Sequence, residues 1–211
     1  MADCIADIDA RSLDLRESLA TAGHQRWSST HACLLATQLL TDRPDRLAHS
    51  LLAGQHAQRV RSTVAPADGE LLVAAALLHD IGYSPTLVDT GFHPLDGANH
   101  LALLGAPHRL ASLVAHHSEA RYLAAARGLD RELSRFRREE GPVMDALVYA
   151  DMTSGPTGTP MTLTDRLADI AIRHDGEDAE LLAARLARVP HLIAAGERVR
   201  VGMAMTSRQR L

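Results

Sequence analysis

Lysine is missing altogether. All 22 basic residues are arginine, a choice that reflects the codon usage of a GC-rich genome and carries no functional meaning. Aromatic residues are nearly as scarce, at 3% of a chain whose apolar share is 46%. The core must therefore be built from leucine, alanine, valine and isoleucine, and alanine and leucine head the helix scale. Alternating strand patterns, internal repeats and glycine-rich phosphate loops are also lacking, so the expected fold is all-α. The two cysteines, Cys4 and Cys33, form neither a metal-binding spacing nor a disulfide framework, in keeping with a reducing cytoplasm. No apolar run reaches the roughly 18 residues of a membrane span, and the start MADCIADIDARS is too acidic for a signal peptide. A formal net charge of -4 with pI near 6.3 supplies no basic field for a long nucleic acid. The expectation is a cytoplasmic protein without membrane or long nucleic-acid partners.

What is present suits one helical domain of 211 residues. Residues 1–29 are weakly patterned, an expected extension with a short helix over 13–22. Residues 30–200 form the expected helical domain, and 201–211 a frayed C-terminal tail. Within the domain, Pro44 opens a helix that runs to about 63, and Pro66 and Asp68 open another that ends at His79 or Asp80 with Gly82 as terminator. Further helices are expected from His93 to Gly105, from 107 to about 117, across the charged stretch 119–139, from Pro142 to near Asp151, over TLTDRLADIAIRH, and over DAELLAARLARV before Pro190.

Twelve histidines are the one excess. Single histidines near helix ends or polar stretches (His24, His31, His108, His174 and His191) are ordinary surface or core contacts. His79 and Asp80 differ, because they close the most apolar segment of the chain, LLVAAALL at 71–78. Burying either without a partner costs several kcal/mol, on the order of 2–7 for a neutral polar group and more for a charge. Adjacent residues within a helix diverge by about 100°, but at a terminus both side chains can converge on one site. Metal is the natural partner for imidazole plus carboxylate; Asp80 taking backbone hydrogen bonds, oriented by His79, is the other reading.

AALLHDIGY resembles the doublet signature of the HD-domain metal-dependent phosphohydrolase superfamily. That likeness implies an early histidine, the doublet, optional further histidines and a late aspartate, and it extends over roughly residues 44–155. ALVYADMTS places Asp151 at the end of an apolar helix as the family does. For the early histidine there are two candidates seven residues apart, His49 and His56, separated by about 10.5 Å along the axis and unable to share an ion. RPDRLAHS resembles the family's Arg-x-x-His opening and selects His49, leaving His56 as a neighbour or a core residue. TGFHPLDGANH and LVAHHSEA resemble the segments that supply extra ligands in two-metal branches, such as symmetrical dinucleoside tetraphosphate hydrolases and cyclic-dinucleotide phosphodiesterases. His93 is the matching position, and His100 lies too far along. His116 and His117 are both candidates as ligands or substrate contacts. Ser118-Glu119-Ala120 stands where the cyclic-dinucleotide enzymes carry Gly-Tyr-Pro, which weakens that reading.

The resemblance implies a metal set of His49, His79, Asp80, His93, His116 or His117, and Asp151. It would hold one or two divalent transition ions (Mn, Fe, Co, Ni or Zn), bridged by Asp80 if two bind. Two ions about 3.5–4 Å apart both lower a water's pKa and clamp phosphoryl oxygens. The implied activity is hydrolysis of a phosphate ester or anhydride of a small nucleotide or phosphorylated metabolite by a metal-activated hydroxide. Asp80, His93, His116 and His117 are the expected catalytic groups. Arg46, one turn from His49, is either a phosphate donor or a surface partner of Asp42 or Asp45. Thr153 is a further candidate substrate contact; Ser154 and Thr157, on the same loop, are also possible contacts or ordinary loop groups. Tyr83 and Ser84 stand beside the doublet, with pocket or core as their place. Arg131, Arg135, Arg137 and Arg138 read as a solvated face interrupted by glutamates. Other outcomes compatible with the likeness are a diiron oxygenase and a non-catalytic metal-holding regulatory module.

Overall fold

The computed structural model describes residues 27–208, and among them the regular elements are helices. They are α1 (Ser29–Leu39), α2 (Pro44–Val60), α3 (Gly69–Leu78), α4 (His93–Leu103), α5 (His108–His116), α6 (Arg121–Ala126), α7 (Asp130–Leu133), α8 (Pro142–Met152), α9 (Leu163–Arg173) and α10 (Ala179–Arg208). The expected helix over 13–22, Cys4 and His24 lie outside the described residues. No helix among those described is long and apolar enough to cross a membrane.

Helix α3 is the axis of the fold. Its sequence GELLVAAALL has no polar face, and every residue from Leu72 to Leu78 is buried. A helix apolar all round is stable only when surrounded, and α1, α2, α5 and α8 pack against it. Each buried leucine contributes about 1.5–3 kcal/mol relative to an exposed one. Gly54 allows α2 to come close, since a Cβ there would lie 2.5 Å from Leu77 Cδ2. Pro44 and Pro142 sit in the first turns of α2 and α8, where a missing N–H costs nothing. The side chains of Ser28 and Thr162 cap α1 and α9 by accepting from the His31 and Asp165 amides.

Two expectations are corrected here. The helix expected over DAELLAARLARV does not stop at Val189: α10 continues through Pro190 to Arg208, 30 residues in all. Proline removes the bond that would reach the Leu186 carbonyl, but Leu186 is exposed and water can serve that oxygen. Leu192, Ala195 and Val199, buried on the side of α10 that meets α8, hold the helix together beyond the proline. Gly82 is not a left-handed terminator either. It sits in the 3-10 turn Ile81–Tyr83, and a Cβ on it would meet the His93 carbonyl oxygen at 2.0 Å. Its lack of a side chain brings the start of α4 against the end of α3.

Candidate metal centre

The ends of four helices meet beside the middle of α2. His79 follows the last residue of α3, His93 opens α4, His117 follows α5, and Asp151 lies in the last turn of α8; His49 comes from the body of α2. His49, His79, Asp80, His117 and Asp151 are all buried. Two groups of three could each hold a cation, His49 with His79 and Asp151, and His79 with Asp80 and His117. They share His79.

The hydrogen bonds around the rings fix which nitrogen faces inward. His79 Nδ1 donates to the Ala76 carbonyl at 2.7 Å, His117 Nδ1 to Val114 at 2.7 Å, and His49 Nδ1 to Gly155 at 3.1 Å. In the neutral rings, each Nε2 therefore carries its lone pair into the cluster. His49 Nε2 nevertheless lies 3.1 Å from His79 Nε2 and 3.0 Å from Asp151 Oδ1. His93 Nε2 lies 3.2 Å from His117 Nε2 and 3.3 Å from Asp80 Oδ1. Acceptors gathered this closely require a cation among them, a proton or a metal. The set of imidazole nitrogens and carboxylate oxygens, with backbone carbonyls fixing the tautomers from behind, fits a divalent transition metal.

Asp80 stands at the centre. Its Oδ1 faces His79, His93 and His117, and its Oδ2 faces His49 at 3.7 Å and Arg46 at 3.3 Å. Burial alone would raise its pKa, but His79, His93 and His49 hold it well below the usual carboxylate range. Asp151 is kept ionised in the same way by His49 and His79, against its burial. Burial disfavours charge on His79, but Asp80 and Asp151 outweigh it and push the pKa up to about 9. For His117, burial and then the positive charge on His79 pull the pKa down to about 3.

Arg46 pairs with Asp80, not with Asp42 or Asp45, and its guanidinium lies over the Tyr83 ring at 4.7 Å. Tyr83 in turn stacks on His93 with centroids 3.9 Å apart, so it fixes the ring orientation. Ser84 is buried and bonded to Thr86. Ser118, which the sequence did not single out, hydrogen-bonds Asp151 Oδ2.

Two expected members are not brought to the cluster. His116 turns away: its Nε2 donates to the Phe136 carbonyl at 2.8 Å. The chain passes through left-handed φ of 48° at Ser118 and 57° at Glu119, and of the adjacent pair only His117 faces Asp80. Thr153 faces the opposite side, its Oγ1 bonded to the Tyr149 carbonyl and to His56 Nδ1 at 2.8 Å. His56 is thereby accounted for away from the cluster. His31, His108 and His191 bond Ser28, Ser112 and Tyr122, whereas His174 lines the cleft described next, with its ring on Glu177.

The cluster opens into a cleft of about 260 Å³ whose wall carries Arg46, Arg127, Arg166, Arg173, Arg185 and Arg188. Four of these come from α9 and α10, and sequence reading passed over them because arginines spaced along an amphipathic helix look like a solvated face. The HD domain family matches the chain over residues 46–175. The chain belongs to the HD-domain family. The match contains every residue of the cluster and stops short of α10, so this HD domain has its cleft completed by a helix outside the matched segment. No curated protein and no solved structure matched.

Proposed function

We propose that the protein is a metal-dependent phosphohydrolase acting on a small phosphorylated molecule, with His49, His79, Asp80 and Asp151 holding one ion and Asp80, His93 and His117 a second. The single observation that carries this reading is the convergence of lone-pair-bearing histidine nitrogens and two ionised carboxylates at the floor of an arginine-walled cleft. Divalent ions in such a set lower the pKa of water towards neutrality and polarise phosphoryl oxygens.

The chain's own residues supply the rest. Asp80, with Oδ1 towards His79, His93 and His117 and Oδ2 towards His49, keeps the two halves in register. Arg46 lies at the cleft and its fork suits a phosphoryl oxygen; it stands against Asp80, which would be a ligand of the metal. Tyr83, its pKa raised by burial to about 12, stays protonated and orients His93.

Elemental analysis of the purified protein and phosphate release from p-nitrophenyl phosphate with added Mn or Ni test the reading together. Bound metal and phosphate release are expected, both lost in the His79→Ala, Asp80→Ala double variant. Metal retained undiminished by that variant, or no phosphate released from any ester by the metal-loaded protein, would sink it; substrate-linked oxygen uptake with iron would replace it by oxidative chemistry.

A further inference from the structure

We propose that Arg188 of α10 is an anion-binding site beside the metal cluster, taking a second anionic group of a compact, multiply charged substrate. This rests on the phosphohydrolase reading and extends it to substrate class.

Arg188 is unlike the arginines around it. Glu177 grips Arg185 in two bonds of 2.6 and 2.8 Å, and Asp169 holds both Arg166 and Arg173. Arg188 is only 8% exposed and lines the cleft; among the described residues it meets no carboxylate, and the partner it has is the Ser118 carbonyl at 3.2 Å. That carbonyl belongs to the residue whose hydroxyl bonds Asp151, so the guanidinium is linked to the cluster through Ser118. A buried cation without a counter-ion is costly. An anion entering the cleft removes that cost, and a planar guanidinium suits the paired oxygens of a phosphate or carboxylate.

The rest of the cleft points to the same class. Among the described residues Arg127 also meets no carboxylate, being bonded to the Gly91 carbonyl, and Arg46 shares Asp80 with the histidines of the cluster. Three guanidiniums plus the metal charge exceed what one phosphomonoester dianion neutralises. Among the described residues lining the cleft no aromatic face is offered to a nucleobase, since Tyr83 lies between His93 and Arg46 and Phe92 is buried. At about 260 Å³ the cleft is also below the roughly 300–1,000 Å³ of sites for larger organic ligands. A small metabolite with a phosphate and a second phosphate or carboxylate fits; a nucleotide held by its base does not.

Calorimetric titration of the metal-loaded protein with inorganic pyrophosphate, inorganic phosphate and adenosine monophosphate, at a temperature low enough that no phosphate is released during the titration, tests this by affinity. Pyrophosphate should bind about tenfold or more tighter than either other probe, as charge-assisted bonds to one further anionic group imply. Arg188→Gln should abolish that preference while leaving metal content and phosphate affinity within about twofold, and Arg188→Lys should restore part of it. A native protein that binds adenosine monophosphate more tightly than pyrophosphate overturns the proposal with no variant needed. So does pyrophosphate affinity unchanged in Arg188→Gln. Arg188-dependent pyrophosphate binding in a protein that hydrolyses no ester would keep this site and sink the hydrolase reading; hydrolysis with Arg188-independent binding would do the reverse.

Discussion

His49 and His79 face each other through their Nε2 atoms at 3.1 Å, although both rings spend their Nδ1 hydrogens on backbone carbonyls. The arrangement is fixed from outside the cluster by the Gly155 and Ala76 oxygens, so the rings cannot relieve the contact by changing tautomer without losing those bonds. The backbone thus builds a site that needs positive charge at its centre. Asp151, 3.0 Å from His49, and Asp80 provide the negative charge that makes a metal welcome there.

That relationship gives the metal-free protein a defined pH profile. The folded-state pKa of His79 is raised from 6.5 to about 9, so its stabilising protonation is complete below 6.5 and is lost as pH rises through about 9. The pKa of His117 is lowered from 6.5 to about 3, so its contribution is present above 6.5 and is lost as pH falls towards 3. Urea unfolding in the presence of a chelator should show greatest stability near pH 6.5, with a decline on each side. Because metal must displace the His79 proton, the gap in Tm between metal-loaded and metal-free protein should widen from pH 6.5 to 9. A metal-free protein that gains stability over that interval would contradict the assignment.

The neighbouring histidines should separate cleanly. His117→Ala removes a nitrogen 3.2 Å from His93, and it should lower the metal content. Phosphate release should fall by more than the roughly 10–100-fold expected when only an outer-shell partner is lost. His116→Ala instead leaves the Phe136 carbonyl without its donor. It should cost about 1–3 kcal/mol in urea unfolding with metal content unchanged. Equal metal loss in both variants would mean that the ring of His116 also reaches the ions.

The helical class and part of the buried histidine–aspartate cluster were legible because each rests on a local signal. An apolar run ending in His79–Asp80, and another ending in Asp151, announce themselves in one dimension. His49 was separable from His56 through the arginine three residues before it and its 30-residue distance from His79. The choice between His116 and His117 was not legible, since it depends on left-handed backbone at Ser118 and Glu119, residues that carry no glycine-like mark. Thr153 was misplaced because its position on the loop after Asp151 says nothing about which side its hydroxyl takes. Arg188 was invisible for another reason: its burial comes from the docking of α10 on the rest of the domain, where it meets Ser118, and such long-range packing leaves no local mark in the sequence.

Gly82→Ala should separate fold from site in the opposite direction. The added Cβ would lie 2.0 Å from the His93 carbonyl and 2.7 Å from the Gly97 amide nitrogen. Both are backbone atoms, so the start of α4 must shift as a unit. Overpacking of this kind costs about 1–3 kcal/mol, less than the stability of an ordinary domain, so the protein should still fold. The displacement falls on His93 and leaves His49 and Asp151, which α2 and α8 carry, in place. Metal titration should accordingly show the second ion weakened while the first is retained, with phosphate release reduced more than stability alone explains. A variant that keeps both ions and full activity would show that α4 need not approach α3 closely, and that His93 is not held in place by the Gly82 contact.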